Sequence, residues 1–177
     1  MRVVLVEPEI PPNTGSIARL CAATETPLHL VGRLGFTIDD RHLRRAGLDY
    51  WPFVALHRHE DWRSFTATVP GRRLAFSARA ERLYTDIRFD ADDALVFGGE
   101  TKGLPAAIAA ELAPDLYRIP ILSHHVRSLN LANAVAIVLY EALRQLALHA
   151  SSAGEDRPQR PLPQSGLPQP PSGRTKP

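Results

Sequence analysis

The chain of 177 residues is long enough for one domain of ordinary size and too short for two. Hydrophobic residues make up 44% and charged residues 23%, values typical of a globular protein that exclude a fibre and a wholly disordered chain. The formal net charge is +2, and residues 151–177, with four basic and two acidic side chains, account for all of it. Residues 1–150 are therefore neutral, so binding to a polyanion needs a local basic surface.

Two further features of the composition restrict location and chemistry. No apolar run approaches the roughly 20 residues of a membrane span, and the sequence after Met1 lacks the pattern of a signal peptide. These features predict a soluble, cytoplasmic protein without membrane attachment. Cys21 is the only cysteine, which excludes an internal disulfide and a cysteine-based metal cage.

Short apolar runs alternate with helical patterns along the chain. Strands are predicted at residues 3–6, 28–31, 53–56, 74–77, 95–97 and 116–119. Helices are predicted from a cap at Asn13 or Thr14 through Cys21, at 39–47, at 60–68, at 105–112 and from 129 to about 149. This alternation predicts an α/β fold with a mainly parallel sheet and helices on both faces. In such sheets the ligand site lies beyond the carboxyl ends of the strands.

The segment 151–177 differs in composition from the rest of the chain. It is rich in Pro, Ser, Gln and Gly and contains no aromatic residue. Such a segment cannot bury enough apolar surface to offset the entropy lost on ordering. The sequence therefore predicts one domain at 1–150 followed by a disordered tail at 151–177.

The first polar cluster follows the first predicted strand and contains Asn13 and Arg19. The two residues are six positions apart, nearly two helical turns, so both side chains can lean toward one side of the helix. A capping asparagine and a solvated arginine would explain them equally well. Their position beyond the carboxyl end of a strand favours a functional site.

The second cluster is a glycine-rich segment at 97–105 that also contains Glu100. Glycines at Gly98, Gly99 and Gly103 allow the backbone to approach a ligand closely. A phosphate-binding loop is excluded because Leu104 and a proline stand where Lys and Ser/Thr are required. The usual dinucleotide fingerprint is absent as well. A plain turn would explain the glycines, but it leaves Glu100 unexplained.

The third cluster opens the longest predicted helix. Ser128 is a natural cap, and the free N–H groups of a helix start attract a carboxylate or phosphate. Asn130 and Asn133 are poor helix formers whose amides need partners, so a purely structural explanation accounts for them badly.

Other candidate groups favour a structural interpretation. The histidine pairs at 57/59 and 124/125 have no third ligand at a recognisable spacing, so solvated loop histidines are the favoured interpretation over a metal site. Cys21 lies on the apolar stripe of the first helix and is predicted to be a core residue. Neither Ser16 nor Ser128 has the histidine and acid neighbours of a hydrolase triad.

Together and in this order, the three clusters resemble the three motifs of the SPOUT (trefoil-knotted) RNA methyltransferases. The stretches at 7–15, 43–50, 97–105 and 127–142 are similar to the bacterial methyltransferases that modify the ribose 2′-hydroxyl of the tRNA wobble nucleotide. The resemblance covers residues 1 to about 148. Gly99 departs from it, because proline or another bulkier residue is expected there.

The resemblance implies a single α/β domain with a deep C-terminal trefoil knot, S-adenosylmethionine as the cofactor, a homodimer and no metal. It implies methyl transfer to the ribose 2′-hydroxyl of the wobble nucleotide, cytidine or modified uridine, in the anticodon stem-loop of tRNA. Two alternatives stay open: a methyltransferase for another tRNA or ribosomal RNA nucleotide, and a catalytically silent RNA-binding module on the same fold.

The resemblance also implies the residues of the site. The polar residues near the transferred methyl group are Asn13, Arg19, Glu100, Ser128 and Asn130. The implied cofactor pocket consists of Ser77, Phe97, Gly98, Glu100, Gly103, Ile119, Pro120, Ser128, Leu129 and Asn133. Tyr140 fits a role at a dimer interface or in positioning the RNA.

The chemistry of a ribose 2′-hydroxyl sets a further requirement. The hydroxyl is a weak nucleophile, so a base must remove its proton or a cation must stabilise the forming alkoxide. A guanidinium is a poor base, so Arg19 is predicted to clamp the neighbouring phosphate and the developing oxyanion. Phosphate contacts to the RNA are predicted at Arg41, Arg44, Arg45, Arg72 and Arg73. A solvated helix face would also explain these arginines.

Overall fold

The computed structural model of the chain describes residues 1–36 and 50–152. The short helix predicted at 39–47, with Arg41, Arg44 and Arg45, and residues 153–177 of the predicted tail lie outside the described residues. Within the described ranges, no helix is both long enough and apolar enough to cross a membrane.

The described part of the chain forms one sheet in which all strand pairs are parallel. The strands are β1 (Arg2–Val6), β2 (Leu28–Val31), β3 (Leu56–His59), β4 (Arg73–Phe76), β5 (Arg82–Leu83), β6 (Ala94–Gly98) and β7 (Leu116–Arg118). Their order across the sheet is β3-β2-β1-β6-β4-β7-β5. The predicted parallel sheet is confirmed.

One predicted strand is wrong and one strand was not predicted. A strand was expected to begin at residue 53, but Trp51–Phe53 form a 3₁₀ turn that contains Pro52, and β3 begins at Leu56. Because β3 is an edge strand with partly exposed faces, its polar sequence gives no apolar signal. The two residues of β5 are too short to give a pattern.

Helices cover both faces of the sheet, as predicted. They are α1 (Pro11–Ala23), α2 (Trp62–Thr68), α3 (Ala106–Glu111) and α4 (Leu131–Ser152). Alternate residues of β1 point to opposite faces: Val3 and Leu5 join the core under α1 and α4, while Val4 and Val6 join the core under α2 and α3. Strands buried on both faces explain the uninterrupted apolar runs of the sequence.

Helix ends differ from their predicted positions. The first helix begins at Pro11, with Ile10 at the cap position and no side-chain cap, so the prediction of Asn13 or Thr14 as the cap is wrong. Proline is favoured in the first helical turn because its missing N–H has no partner there in any case. The last helix begins at Leu131 instead of 129 and extends to Ser152, two residues into the predicted tail.

The strand order places four loops side by side. Strands β1, β6, β4 and β7 are consecutive neighbours in the sheet and run in one direction. The loops that follow them begin at Glu7, Gly99, Ser77 and Ile119. The first two polar clusters therefore meet at the same edge of the sheet, as the position of sites in such folds requires.

Three histidines form a stacked cluster on β2 and β3. His57 and His59 were predicted to be solvated loop residues, which is wrong because both lie on β3. Their rings stack on His29 of β2, with centroids 4.6 and 5.2 Å away, and the His29 Nδ1 atom lies 2.9 Å from His59 Nε2. His29 is only 6% exposed. Its burial, and then the nearby His57 and His59, lower the pKa of His29 to about 4.

Acidification between pH 7 and pH 5 is expected to destabilise the fold through His29. The unfolded chain takes up a proton at this histidine near its ordinary pKa of about 6.5, whereas the folded chain does not until about pH 4. The free energy of unfolding therefore falls as the pH falls through this interval, by about 1–2 kcal/mol from His29. Urea unfolding at several pH values between 7 and 5 measures this change in the free energy of unfolding. His29→Leu should flatten the slope, and His124→Leu, at an exposed loop position, should leave it unchanged.

Candidate active site

The carboxylate of Glu100 is the centre of a hydrogen-bonded network at the carboxyl edge of the sheet. Its Oε2 atom accepts a hydrogen bond from the backbone N–H of Glu9 at 2.8 Å, and Oε1 accepts one from the N–H of Ile10 at 3.3 Å. The side-chain amide of Asn13 donates to Oε1 at 2.8 Å. Glu100 thus binds the loop after β1 through two backbone groups and the first turn of α1 through one side chain.

Asn13 connects this carboxylate to the third cluster. Its Oδ1 atom accepts a hydrogen bond from the Nδ2 group of Asn130 at 2.9 Å. The Oδ1 atom of Asn130 in turn accepts from the backbone N–H groups of Ala132 at 2.9 Å and Asn133 at 3.3 Å. Asn130 is therefore the N-cap of α4, and the prediction of Ser128 as the cap is wrong. The predicted cluster of Asn13, Glu100 and Asn130 is present in the structure.

A second contact between the two loops involves Glu9, which the sequence analysis did not single out. The Oε2 atom of Glu9 accepts a hydrogen bond from the backbone N–H of Thr101 at 3.1 Å. Glu9 and Glu100 each accept backbone hydrogen bonds from the other's loop, so the two loops are joined reciprocally. In the sequence, the position of Glu9 beside the first polar cluster is the one signal that it belongs to the site.

The glycines of the second cluster are required by close backbone contacts. A Cβ atom at Gly98 would lie 2.1 Å from the carbonyl carbon of Gly103, and one at Gly99 would lie 2.5 Å from the carbonyl oxygen of Glu7. Gly103 has a φ of +71°, and its N–H donates to the Gly99 carbonyl at 2.9 Å. Glycine at position 99, where the resemblance predicts a bulkier residue, thus lets the loop lie directly against the end of β1.

Arg19 is exposed on α1 and contacts an aromatic ring. Its guanidinium carbon lies 5.5 Å from the centroid of Tyr50, a distance within the range of cation–π attraction. The Tyr50 hydroxyl donates to the carbonyl oxygen of Gly15 at 2.9 Å. Among the described residues, no carboxylate forms a salt bridge with Arg19. The structure shows no direct contact between Arg19 and the Glu100 network.

Several of the predicted cofactor residues lie at neighbouring strand ends, whereas Ser128 and the Phe97 ring are placed differently from the prediction. Ser77 follows β4 and donates its N–H to the Tyr117 carbonyl at 2.9 Å, while Ile119 and Pro120 follow β7. Ser128 is exposed, and within the described residues its side chain makes no hydrogen bond to the network. The Phe97 ring is 2% exposed and stacks on another core ring at 4.9 Å, so only its main chain could face a ligand.

The remaining predicted residues of the third cluster and of the last helix are accessible. Leu129 is half-buried just before α4, and the Asn133 side chain is exposed in the first turn of that helix. Tyr140 is 56% exposed farther along α4. Each is available to contact another molecule.

The structure gives Arg72 and Arg73 internal roles, contrary to their predicted contact with phosphates. Arg72 binds both carboxylate oxygens of the buried Asp93, at 2.9 and 2.8 Å. Arg73 donates to the carbonyls of Thr66 and Val69 at 3.2 and 3.1 Å. Both arginines also lie at the amino end of β4, the edge of the sheet opposite the network. Both side chains therefore bind groups of the fold itself, at the edge of the sheet away from the network.

Two other residue types bear on the chemistry available. Within residues 1–36 and 50–152, no group of three or more His, Cys, Asp and Glu side chains is arranged to hold a metal ion. Cys21 is 1% exposed, and burial raises the pKa of its thiol to about 12, so it is a core residue as predicted.

A match to a family model identifies the class of protein. The model of the SpoU rRNA Methylase family matches residues 1–140. The chain belongs to this family, which confirms the resemblance to RNA methyltransferases.

Individual relatives refine the comparison. The chain is 49% identical over 148 residues to the tRNA (cytidine(34)-2′-O)-methyltransferase of Escherichia coli (strain K12), covering 82% of this chain and 94% of that protein. A solved structure described as giving insights into the 2-OH methylation of C/U34 on tRNA superposes with a TM-score of 0.78 at 46% identity, covering 82% of this chain and 95% of the other. An AdoMet-bound rRNA methyltransferase from Sinorhizobium meliloti superposes with a TM-score of 0.70 at 28% identity, covering 82% of this chain and 56% of that one.

Replacing Glu100 by glutamine is expected to lower the free energy of unfolding by about 1–3 kcal/mol. Glutamine removes one acceptor and places an N–H₂ group near the donors of Glu9, Ile10 or Asn13, so a partly buried donor loses its partner. Urea unfolding measures the change. Glu60→Gln is the matched control, because the exposed Glu60 carboxylate makes no hydrogen bond within the described residues. Equal stability of the two variants would contradict this role of Glu100.

Proposed function

We propose that this chain transfers a methyl group from S-adenosylmethionine to the ribose 2′-hydroxyl of the first anticodon nucleotide of tRNA, cytidine or modified uridine. The observation that carries the proposal is the hydrogen-bonded network of Glu100, Asn13 and Asn130, which joins three distant segments at the carboxyl edge of the sheet. The 49% identity to the Escherichia coli enzyme over most of both chains supports this choice of substrate.

The loops at the strand ends would form the binding site for S-adenosylmethionine. Main-chain groups around Gly98, Ser77, Ile119 and Leu129 would hold its adenine and ribose, because these loops follow adjacent parallel strands, at whose carboxyl ends ligands bind in such sheets. The cofactor would supply an electrophilic methyl group on a sulfonium. The trefoil knot implied by the resemblance, with residues 1–150 as the methyltransferase domain and 151–177 as an appended tail, belongs to the same proposal.

Arg19 would act on the RNA and not on the cofactor. Its guanidinium is exposed and faces no carboxylate within the described residues, so its charge is available to an anion. It would bind the phosphate next to the target ribose and stabilise the negative charge that develops on the 2′-oxygen as the hydroxyl proton passes to water. Holding the nucleophile and the methyl group in line can supply about 7–11 kcal/mol of the barrier reduction.

Glu100 and Asn13 would act by positioning and not by touching the methyl group. The Glu100 carboxylate already accepts three hydrogen bonds, and Asn13 uses both its amide nitrogen and its oxygen within the network. The loop after β1, which leads into α1 and Arg19, is thereby held against the glycine loop. Asn130, which caps α4, extends this support to the third cluster.

The proposed RNA-binding surface is reduced to the basic segment at Arg41, Arg44 and Arg45, because Arg72 and Arg73 bind groups of the fold at the opposite edge of the sheet. We further propose a homodimer that binds the anticodon stem-loop. In support of a protein contact, Ile137 and Tyr140 are apolar or aromatic side chains on the outer face of α4 that are 37% and 56% exposed.

A second candidate is the same reaction on ribosomal RNA. The family's description and the likeness to the Sinorhizobium meliloti enzyme favour it. Purified protein, labelled S-adenosylmethionine and separate pools of tRNA and ribosomal RNA distinguish the two, and mass mapping of the labelled RNA locates the modified nucleotide. Absence of transfer to either pool would contradict the enzymatic function and support a silent RNA-binding module.

Arg19→Ala is expected to reduce methyl transfer to tRNA at least about 100-fold, because the developing oxyanion loses its cation. Calorimetric binding of S-adenosylmethionine should be unchanged. Arg63→Ala is the control, since Arg63 is an exposed arginine on α2, against the opposite face of the sheet. Turnover of Arg19→Ala at the wild-type rate would refute the proposed role.

Charge reversal at Arg44 and Arg45 is expected to weaken tRNA binding. Each phosphate contact that is lost should also reduce the slope of log affinity against log salt concentration by about 1. Filter binding at several salt concentrations measures both quantities. Unchanged affinity and slope would exclude this segment from the RNA surface.

A further inference from the structure

We propose that Tyr50 is a positioning residue that fixes the orientation of the Arg19 guanidinium for the reaction. The inference rests on the proposed role of Arg19. Neither the predicted site nor the family comparison assigns Tyr50 a function. The geometry that points to it is the guanidinium of Arg19 above the Tyr50 ring, at 5.5 Å from its centroid.

Arg19 needs an external support because its own environment provides little. The side chain is exposed on α1 and, within the described residues, forms no salt bridge. A long, exposed arginine samples many rotamers, and a clamp on a reacting group must hold one of them. In the described structure the ring of Tyr50 is the group against which the guanidinium packs.

Tyr50 can provide this support because its ring packs against the main core and its hydroxyl makes a further contact with α1. Its hydroxyl donates to the Gly15 carbonyl at 2.9 Å, and the ring packs against the main core. Its carbonyl accepts from the N–H of Phe53 at 2.9 Å, in the 3₁₀ turn that follows. Gly15 lies four residues before Arg19, one turn earlier on the same side of α1. The ring thus spans from its anchor on the helix to the guanidinium one turn later.

An aromatic ring suits this task better than a carboxylate would. A carboxylate would orient the guanidinium but would also neutralise its charge and compete with the RNA phosphate for its N–H groups. The face of a ring attracts the cation without using those in-plane donors. Arg19 can then present its N–H groups to a phosphate and an oxyanion while its position remains fixed.

The test compares Tyr50→Phe, which keeps the ring, with Tyr50→Leu, which removes it. Tyr50→Leu is expected to lower kcat for tRNA methylation about five- to twentyfold, with the affinity for S-adenosylmethionine unchanged. Tyr50→Phe loses the hydrogen bond to Gly15 but keeps the ring face and its packing against the core, so its kcat should remain within about threefold of the wild type. If Tyr50→Leu does not fold, Tyr50→Met retains the bulk of the side chain without the ring face. Wild-type kcat in the ringless variant would overturn the proposal.

A second measurement reports on Arg19 itself and does not depend on catalysis. In ¹⁵N-arginine-labelled protein, the ring current of Tyr50 should shift the Arg19 Nε–Hε resonance, and its order parameter should be high. Both signatures should be lost in Tyr50→Leu and retained in Tyr50→Phe. Phe53→Leu is the matched control, since this ring is 76% exposed and, in the described structure, stacks on no guanidinium.

The two measurements together separate the possible failures. Loss of activity in Tyr50→Leu with an unchanged Arg19 resonance would overturn the positioning role, because the defect would then lie elsewhere. If the wild-type protein transfers no methyl group to tRNA, the proposed function fails. In that case an Arg19 resonance that depends on the Tyr50 ring still supports the positioning contact, and one that does not overturns it.

Discussion

The site depends on one interaction, the acceptance of three hydrogen bonds by the carboxylate of Glu100. Two of the donors are backbone N–H groups of the loop after β1, and the third is the amide of Asn13. Charge-assisted hydrogen bonds of this kind are stronger than neutral ones and costly to break when partly buried. Through Asn13, the same carboxylate is linked to Asn130, the residue that caps α4. The position of Arg19 on α1 follows from this arrangement, because Glu100 fixes the entry into that helix.

The network can form only because β1 and β6 are neighbours in the sheet. They pair in parallel register from Arg2 opposite Ala94 to Val6 opposite Gly98, so both strands end at the same level. Glu7 then turns the chain with a φ of 50°, and its carbonyl lies where a side chain at Gly99 would otherwise be. The absence of side chains at Gly98 and Gly99 thus allows the two loops to touch, and Glu100 is placed within reach of Asn13.

Arg19 and Arg72 illustrate two uses of the same side chain in one fold. Arg72 forms a bidentate ion pair with the buried Asp93 and a hydrogen bond to the Arg88 carbonyl, and the hydrogen bonds to Asp93 raise its pKa. That pairing satisfies a buried acid and leaves little charge for a ligand. Arg19 rests on an uncharged ring and, within residues 1–36 and 50–152, forms no salt bridge. The contrast explains why Arg19, and not Arg72, is proposed to meet an RNA phosphate.

The sequence alone determined the alternation of strands and helices and the parallel sheet, because strands buried on both faces need continuous apolar runs. It also indicated the cluster of Asn13, Glu100 and Asn130, because polar residues at strand ends have few structural uses. The sequence did not determine the hydrogen-bond, ion-pair or stacking partner of each polar side chain. The capping role of Asn130 in place of Ser128, the ion pair of Arg72 with Asp93 and the stacking of the histidines on β2 and β3 all join residues distant in the chain or depend on local geometry at a helix start. Periodicity and composition report local burial, whereas the partner of a polar side chain is chosen by the strand order. Only the tertiary structure therefore placed the Tyr50 ring beneath Arg19.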